Sequence, residues 1–132
     1  MKRYELRIHD EREGVPGVLV EFSALLNGLS KSIGEILNKN WEIFRGTYGY
    51  GEKVCSIEDC LDHQESIVIS GTELLSLLLS NTEYFDNARI RLQEGWIEFG
   101  VFDNTFHYVR GERHLLEDIA AQFHTTEIVE VQ

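Results

Sequence analysis

The sequence predicts a single α+β domain spanning residues 1–132, with three main helices packed on one face of a mixed sheet. Three observations support this prediction. The chain has 132 residues, of which 42% are hydrophobic, and this size and composition suit one domain with one core. Segments with the apolar period of a helix are separate from segments with the period of a strand. Two turn candidates join three consecutive strands into an antiparallel β-meander over about 86–110.

The first elements follow from the spacing of apolar residues. YELRIHD alternates apolar and polar residues with the period of a half-buried strand. Apolar residues then recur every three or four positions from Val18 to Ile36, which predicts a helix over about 16–38 with Pro16 in its first turn. WEIFRGTYGYG predicts a strand that begins at Trp41 and ends in a loop of glycine and tyrosine.

The segment CSIEDCLDHQES, residues 55–66, concentrates cysteine, histidine and carboxylates. Ser56 stands three residues before Asp59, which is the spacing of a capping box. The apolar positions that follow have helical spacing and include Cys60. We therefore predict a short acidic helix over 57–63 that has Cys60 on its apolar side. Its solvent-facing carboxylates are Glu58, Asp59 and Asp62.

The same segment does not complete a metal site. Structural zinc takes four ligands, and Cys55, Cys60 and His63 supply three. The N-terminal residues lack a signal-peptide pattern, so we expect both cysteines to be free thiols in a reducing cytoplasm. We accordingly expect no metal and no cofactor, and a metal or redox role for this cluster is the alternative.

Two strands and two helices complete the elements outside the meander. SIVIS predicts a short buried strand, and TTEIVEV predicts a closing strand. SGTELLSLLLS predicts a helix because Ser70 and Glu73 have the spacing of a capping box. ERHLLEDIAAQFH predicts the last helix, with an apolar stripe of Leu115, Leu116, Ile119 and Phe123.

Two-residue turns at 94–95 and 103–104 would determine the register of the meander. The first hairpin then places Ile90 opposite Phe99, and the second places Phe99 opposite Tyr108. Every residue on that face is apolar or aromatic, so we assign that face to the core. The opposite face comprises Arg89, Arg91, Gln93, Trp96, Glu98, Gly100, Phe102, Thr105, His107 and Val109.

This outer face is the predicted partner-binding surface. Trp96 and Phe102 make it more apolar than a face that contacts only water, and Trp and Arg are enriched at binding hot spots. Arg91 lies opposite Glu98 in this register, which predicts a cross-strand ion pair. The predicted partner-binding residues are Trp96, Glu98, Phe102, His107 and Arg91, together with Glu58, Asp59 and Asp62 of the acidic helix. The alternative is that another element, or a second copy of the chain in a homodimer, covers this face.

The net charge limits the classes of partner. The chain has 23 Asp and Glu against 12 Lys and Arg, a formal charge of −11. Nucleic acid and anionic membranes bind concentrated basic surfaces, so we expect neither as a partner. Opposite charge accelerates association, so a basic protein is the favoured partner. No apolar run approaches the length of a membrane span.

Catalytic signatures are missing from the sequence. It contains no G-x-S-x-G, no glycine-rich phosphate loop and no H-E-x-x-H. We therefore expect a protein that is not an enzyme. The alternative is a small enzyme or ligand-binding protein that uses His107 or the Tyr48/Tyr50 loop.

In size, acidity and lack of catalytic motifs, the chain resembles bacterial toxin-immunity proteins. Its charge, the acidic SIEDCLDHQE segment and the aromatic GWIEFGVFDNTFHYV segment carry this resemblance. The resemblance implies a tight, non-catalytic cytoplasmic inhibitor of one cognate toxin domain, often a basic nuclease whose active-site cleft the inhibitor covers. It assigns no functional residue. A homo-oligomeric adaptor that buries the Trp96 face against itself is the other alternative.

Overall fold

The computed structural model describes residues 3–33, 38–94 and 97–131. These ranges contain four helices and an eight-stranded sheet, which confirms the α+β class. The helices are α1 Phe22–Ile33, α2 Glu52–Leu61, α3 Gly71–Leu79 and α4 Arg113–Ala120. The strands are β1 Arg3–Ile8, β2 Asn40–Phe44, β3 Tyr48–Tyr50, β4 Ser66–Ser70, β5 Tyr84–Leu92, β6 Glu98–Phe102, β7 Phe106–Gly111 and β8 Thr126–Val131.

The sheet is antiparallel in all of its described pairings, so the prediction of a mixed sheet is wrong. Its strand order is β4-β2-β5-β6-β7-β1-β8. β5 is long enough to pair with β3 along its first half and with β2 along its second half. β4 and β5 run in the same direction, but β2 lies between them and is antiparallel to both. β4 and β8 are the two ends of this order, and the short β3 pairs with β5 alone.

Three helices form a layer over one face of the sheet. α4 contacts β1 and β7, α3 contacts β2 and β4, and α1 contacts both α3 and α4. Trp41 and Phe99 pack edge to face in this core, with ring centroids 5.2 Å apart. Full burial of a large apolar side chain contributes about 1.5–3 kcal/mol, so this single cluster is the main source of stability.

α1 is shorter than the predicted helix over 16–38. The segment before it forms turns, because the amides of Arg12 and Val15 bond to the carbonyls of Val18 and Arg12 at 2.7 and 3.0 Å. Gly17 has a left-handed φ of 83°, which a helix cannot contain. Pro16 and Val18 therefore lie in an exposed loop, and the predicted Ile36 lies outside the described residues.

α2 begins earlier than the predicted helix over 57–63. Its N-terminal cap is Gly51, so Ser56 and Asp59 lie inside the helix and do not form a capping box. Its buried residues are Val54 and Leu61, and Ile57 packs partly buried against the core, so Ile57 and Leu61 lie on the predicted apolar side. Cys60 is exposed, contrary to the prediction that it lies on the apolar side.

The prediction for α3 is confirmed at its cap. The Ser70 hydroxyl accepts a hydrogen bond of 3.2 Å from the Glu73 amide. β1, β8 and α4 also lie where the apolar patterns predict them, and Leu116 and Ile119 of α4 are fully buried. β4 is a strand as predicted, but it lies at an edge rather than in the interior, and Val68 is 55% exposed.

The first hairpin of the meander has the predicted register. Ile90 lies opposite Phe99 and Ala88 opposite Val101, and the Leu92 amide bonds to the Ile97 carbonyl at 2.9 Å. The apolar alternation of both strands specifies this pairing, because a slip of one residue would turn these side chains away from the helices.

The second hairpin is displaced by one residue from the predicted register. Asp103 and Asn104 have positive φ angles of 43° and 58°, and the turn is closed by a 2.7 Å bond from the Thr105 amide to the Phe102 carbonyl. The turn itself is therefore the predicted one. Thr105 is then left as a bulge outside the ladder, which continues with Phe102 opposite Phe106.

This bulge reverses the sides of β7. His107 and Val109 face the core, opposite Val101 and Phe99 of β6. Tyr108, predicted in the core opposite Phe99, instead lies opposite Gly100 on the outer face. The predicted outward placement of His107 and Val109 is therefore wrong, because one unpaired residue inverts the inward and outward alternation of a strand.

Candidate functional site

The outer face of the sheet, away from the helix layer, carries a chain of ion pairs. Glu5 lies between Arg7 and Arg110, with N–O distances of 2.6 and 2.7 Å. Glu98 lies between Arg110 and Arg89, with N–O distances of 3.7 and 3.2 Å. We call Glu5, Arg7, Arg89, Glu98 and Arg110 the arginine–glutamate network. The antiparallel register assembles it, because Arg110 is directly opposite both Glu5 of β1 and Glu98 of β6.

The network buries its carboxylates under the long arginine side chains. Burial alone would raise the pKa of Glu5, but its hydrogen bonds to Arg7 and Arg110 and their charges outweigh that effect and lower the pKa. Tyr108 donates a 3.0 Å bond to Glu98. Burial, and then the Glu98 charge, raise the pKa of Tyr108, so the phenol stays protonated.

Arg91 does not join the network, although it lies opposite Glu98 as predicted. Its guanidinium carbon lies 4.5 Å from the ring centroid of Phe44, and that of Arg89 lies 4.6 Å from the same centroid. The ion pairs of Glu98 go to Arg89 and Arg110 instead, so the predicted Arg91–Glu98 pair is wrong. With three arginines for two glutamates, the network is not an acidic surface.

A second cluster lies beside the network, where β3, the start of β5 and the β6–β7 turn meet. Its four aromatic side chains are exposed: Tyr48 by 40%, Tyr50 by 68%, Tyr84 by 47% and Phe102 by 58%. They are the only aromatic side chains among the exposed large hydrophobics of the described residues. The ring of Phe102, next to Asp103 in the chain, stacks on that of Phe106 with centroids 5.5 Å apart. We call Tyr48, Tyr50, Tyr84, Phe102 and Asp103 the tyrosine patch.

The close approach of β3 to β5 brings the tyrosines together. Tyr50 is paired with Tyr84, and their ring centroids are 6.4 Å apart. A Cβ atom at Gly49 would lie 1.9 Å from the Tyr84 carbonyl oxygen, so only glycine permits this approach. The register shifts by one residue between Tyr48 and Gly49, so Asp86 of β5 has no residue opposite it in β3 and lies beside the patch.

Hydrogen bonds hold the patch in place. The hydroxyl of Tyr48 donates to Asp103, and that of Tyr84 donates to Asn104 at 2.8 Å. The Asn104 side chain donates in turn to Asp86 at 2.7 Å. The bond to Asp103 raises the pKa of Tyr48, and burial and then the Asp86 charge raise that of Tyr84. The phenols of Tyr48 and Tyr84 therefore stay neutral, and their hydrogen bonds restrict the orientation of these two rings.

The acidic helix α2 flanks the patch through its contact with β3. Glu58 accepts a 3.3 Å hydrogen bond from the Gly49 amide, and Glu83 accepts one of 2.8 Å from Val54 at the start of α2. Asp59 and Asp62 are exposed on the same helix, as predicted. The predicted acidic residues therefore lie on an element that packs beside the exposed aromatics.

The predicted partner-binding residues are dispersed by the fold. Phe102 is exposed in the tyrosine patch, and Glu98 is nearly buried in the arginine–glutamate network. His107 is buried, and its Nε2 lies 2.6 Å from the Val20 carbonyl oxygen. Burial lowers the pKa of His107 against the opposing effect of that bond. Trp96 lies outside the described residues.

Sequence analysis missed Tyr84 and Asp103 as members of a site. Their sequence context did not indicate a site, because Tyr84 is an ordinary first residue of a strand and Asp103 is a common turn residue. Only the pairing of β3 with β5 brings both beside Tyr48 and Tyr50, which the sequence predicted in a loop and which instead form strand β3.

A cavity of about 390 Å³ opens on the core side of the sheet. It lies between the loop before α1, the segment after α3 and the strands β5 to β7. Arg12 and Glu21 on its rim form an ion pair with an N–O distance of 3.2 Å. Its polar lining residues include Arg12, Glu21, Ser80, Glu83, Tyr84 and His107.

Residues 3–33, 38–94 and 97–131 contain no group of three or more His, Cys, Asp or Glu that could hold a metal ion. Cys55 and Cys60 are both free and exposed. No helix in the described part of the chain is long and apolar enough to cross a membrane.

The fold and these surfaces define an acidic α+β protein with an exposed aromatic patch and a self-paired ionic face. Comparisons with models of known protein families, with curated proteins and with solved structures find no match. Its function is therefore inferred from the surfaces themselves.

Proposed function

We propose that this protein is a non-catalytic binding protein that grips a basic protein partner through the tyrosine patch. The observation that carries the proposal is four exposed aromatic side chains beside carboxylates, two of them held by hydrogen bonds. Exposed aromatic clusters are costly in water and typical of binding hot spots. Rings that are already ordered lose little conformational freedom on binding, which favours high affinity.

The charge supports a basic partner. The chain carries −11, and Glu58, Asp59 and Asp62 belong to the helix that packs beside the patch. Acidic residues around an aromatic centre match the common arrangement of a binding surface, in which polar residues surround an apolar core. We infer that approach is driven by these carboxylates and that the rings supply the short-range contact.

The patch replaces the face inferred from the sequence. His107 is buried, and the arginine–glutamate network satisfies its own charges, so neither favours contact with a basic surface. Of that face, Phe102 stays in the proposal as the exposed end of β6, and the predicted acidic residues Glu58, Asp59 and Asp62 stay with it.

We further propose that the partner is a bacterial toxin domain and that the protein acts as its immunity protein in the cytoplasm. Acidity, small size and an exposed aromatic patch suit the inhibition of a basic enzyme, because carboxylates can occupy a cleft built for phosphate. The two exposed free cysteines suit a reducing compartment.

The test is co-expression with the product of the neighbouring gene, followed by purification of the complex. The native chain should protect cells from that product, and Tyr50→Ala with Tyr84→Ala should abolish protection. Val68→Thr is the matched control, since Val68 is 55% exposed and lies on the edge strand β4, which pairs with β2 and not with β3 or β5. Full protection by the double variant would overturn the patch, and the absence of any complex would overturn the function.

A ligand-binding protein or small enzyme is the second candidate, and the 390 Å³ cavity beside His107 favours it. A cavity of this size could hold a small polar metabolite. Thermal-shift screening with a metabolite set would test it: a ligand that stabilises the native chain and not a Glu83→Gln variant supports this candidate.

A further inference from the structure

β4 is an edge strand that lacks the usual protection against pairing. Its sequence, Ser66 to Ser70, contains no charge, no proline and no bulge. The opposite edge, β8, carries Glu127 and Glu130. Natural edges are commonly protected by charges of this kind, because an unprotected edge pairs readily with another strand. β4 is therefore the open edge of the sheet.

The ladder between β2 and β4 shows which backbone groups face outward. The amide of Arg45 bonds to the Glu65 carbonyl at 2.9 Å, and that of Gly71 bonds to the Lys39 carbonyl at 2.7 Å. Hydrogen-bonded positions alternate along an antiparallel pair, so β4 bonds to β2 at residues 65, 67, 69 and 71. The amide and carbonyl of Val68, between them, point away from the sheet.

The sequence of β4 is the same in both directions: Ser, Ile, Val, Ile, Ser. An antiparallel pair of two such strands, centred on Val68, places Val68 opposite Val68 and each Ser66 opposite Ser70. Each Ile67 then lies opposite Ile69. Each of these pairs joins uncharged residues of similar size, so the same strand surface can serve both copies about a two-fold axis. The outward groups of Val68 are those that would exchange hydrogen bonds at the axis.

The core side of β4 has room for the added strand. Ile67 and Ile69 face the helices but are only half-buried, and they line an open groove between α2 and α3 with Ile57 and Leu77. The isoleucines of a second β4 would lie on this same side of the extended sheet. Their burial would be favourable by about 25 cal/mol per Å² of apolar surface.

We propose that two copies of this chain associate through β4 to form a continuous antiparallel sheet across a two-fold axis. This interface is separate from the tyrosine patch, so each can fail without the other. Electrostatic repulsion opposes this dimerisation, because both copies carry a net charge of −11. Salt screens that repulsion, and dimerisation therefore strengthens as ionic strength rises. Binding of a basic partner has the opposite salt dependence.

Analytical ultracentrifugation from micromolar to submillimolar protein tests the proposal. The native chain should pass from 15.3 kDa to twice that mass, with a severalfold lower dissociation constant in about 300 mM than in about 50 mM NaCl. Val68→Pro removes the outward amide and leaves the β2 ladder intact, so it should stay monomeric. Val68→Thr, the matched control, keeps that amide and should dimerise like the native chain. Circular dichroism establishes that both variants are folded.

A second experiment, chemical cross-linking, tests the same interface without the Val68→Pro variant. In a Cys55→Ser, Cys60→Ser background, Val68→Cys places two thiols at the axis, where paired Cα atoms are about 5.5 Å apart. A short bis-maleimide should cross-link this variant, whereas Leu79→Cys, with similar exposure, should stay uncross-linked. A monomeric native chain at all concentrations, a dimer that tolerates Val68→Pro, or equal cross-linking at both cysteines would overturn the proposal.

Discussion

The hydroxyl of Tyr108 donates a 3.0 Å hydrogen bond to Glu98, and both side chains are nearly buried on the face of the sheet away from the helix layer. Arg89 and Arg110 flank the same carboxylate. Long cationic side chains thus exclude water from a polar centre on an otherwise open face.

Removal of this hydroxyl should have a modest effect on stability. Tyr108→Phe should lower the free energy of unfolding by about 0.5–1.5 kcal/mol, since Glu98 keeps its arginine partners. Phe99→Ala, which empties a fully buried site, should cost about 3–5 kcal/mol. Urea denaturation measures both. A larger loss for Tyr108→Phe than for Phe99→Ala would contradict the register of β7.

The buried His107 should make stability depend on pH in the range just below neutrality. Its pKa in the folded protein is lowered from the ordinary value of 6.5, so below that pH the unfolded chain binds a proton that the folded chain does not. The free energy of unfolding should fall as the pH decreases from 6.5 towards the lowered pKa, by at most about 1.4 kcal/mol per pH unit.

His107→Gln is the comparison for this effect, because it removes the titration and keeps a side-chain N–H donor. Its free energy of unfolding should change less than that of the native chain between pH 7 and pH 5.5. Identical pH slopes for the two proteins would show that His107 is not buried in its neutral form.

Glu5 should make stability depend on pH in a lower range. Its charged form is stabilised by arginines, whereas burial destabilises the charged form of His107. The folded pKa of Glu5 lies below the ordinary value of 4.5, so it stabilises the fold above that value and the contribution is lost as the pH falls through the lowered pKa. Glu5→Gln should lower stability at neutral pH and reduce the acid dependence below pH 4.5. Glu117→Gln, at an exposed helical ion pair, is the control and should change stability by no more than about 0.5 kcal/mol.

Both cysteines should react with a thiol reagent in the folded protein. Cys55 and Cys60 are free and exposed on α2, so titration without denaturant should give two thiols per chain. One fast and one slow thiol would instead support the burial of Cys60 that the sequence pattern predicted.

Binding of a basic partner at the tyrosine patch predicts that acidic and aromatic residues affect different rate constants. Asp59→Asn with Asp62→Asn should slow association with the cognate partner, and high salt should remove the difference. Tyr50→Ala should mainly accelerate dissociation, with a loss of about 2 kcal/mol or more if the ring is a hot spot. Surface plasmon resonance at two salt concentrations measures both. Association that is insensitive to salt would contradict steering by α2.

Elements with a local residue pattern could be predicted from the sequence. The alternation of β1, the Ser70 cap of α3 and the apolar pairing of β5 with β6 all follow from residues close together in the chain. The acidity and the exposed carboxylates of α2 could be predicted for the same reason. The exposure of Phe102 also follows from the register of the first hairpin, which the apolar residues specify.

The composition of the surfaces could not be predicted, because it depends on how distant strands pair. One bulge residue, Thr105, inverts β7 and exchanges the sides on which His107 and Tyr108 lie. No local pattern predicts the bulge, because an Asp103-Asn104 turn is compatible with a hairpin that has a bulge at Thr105 and with one that has none. The tyrosine patch depends on Gly49 allowing β3 to reach β5, a contact between residues far apart in the chain. Such surfaces arise from strand pairing, and pairing is decided by the burial of the whole sheet rather than by any one segment.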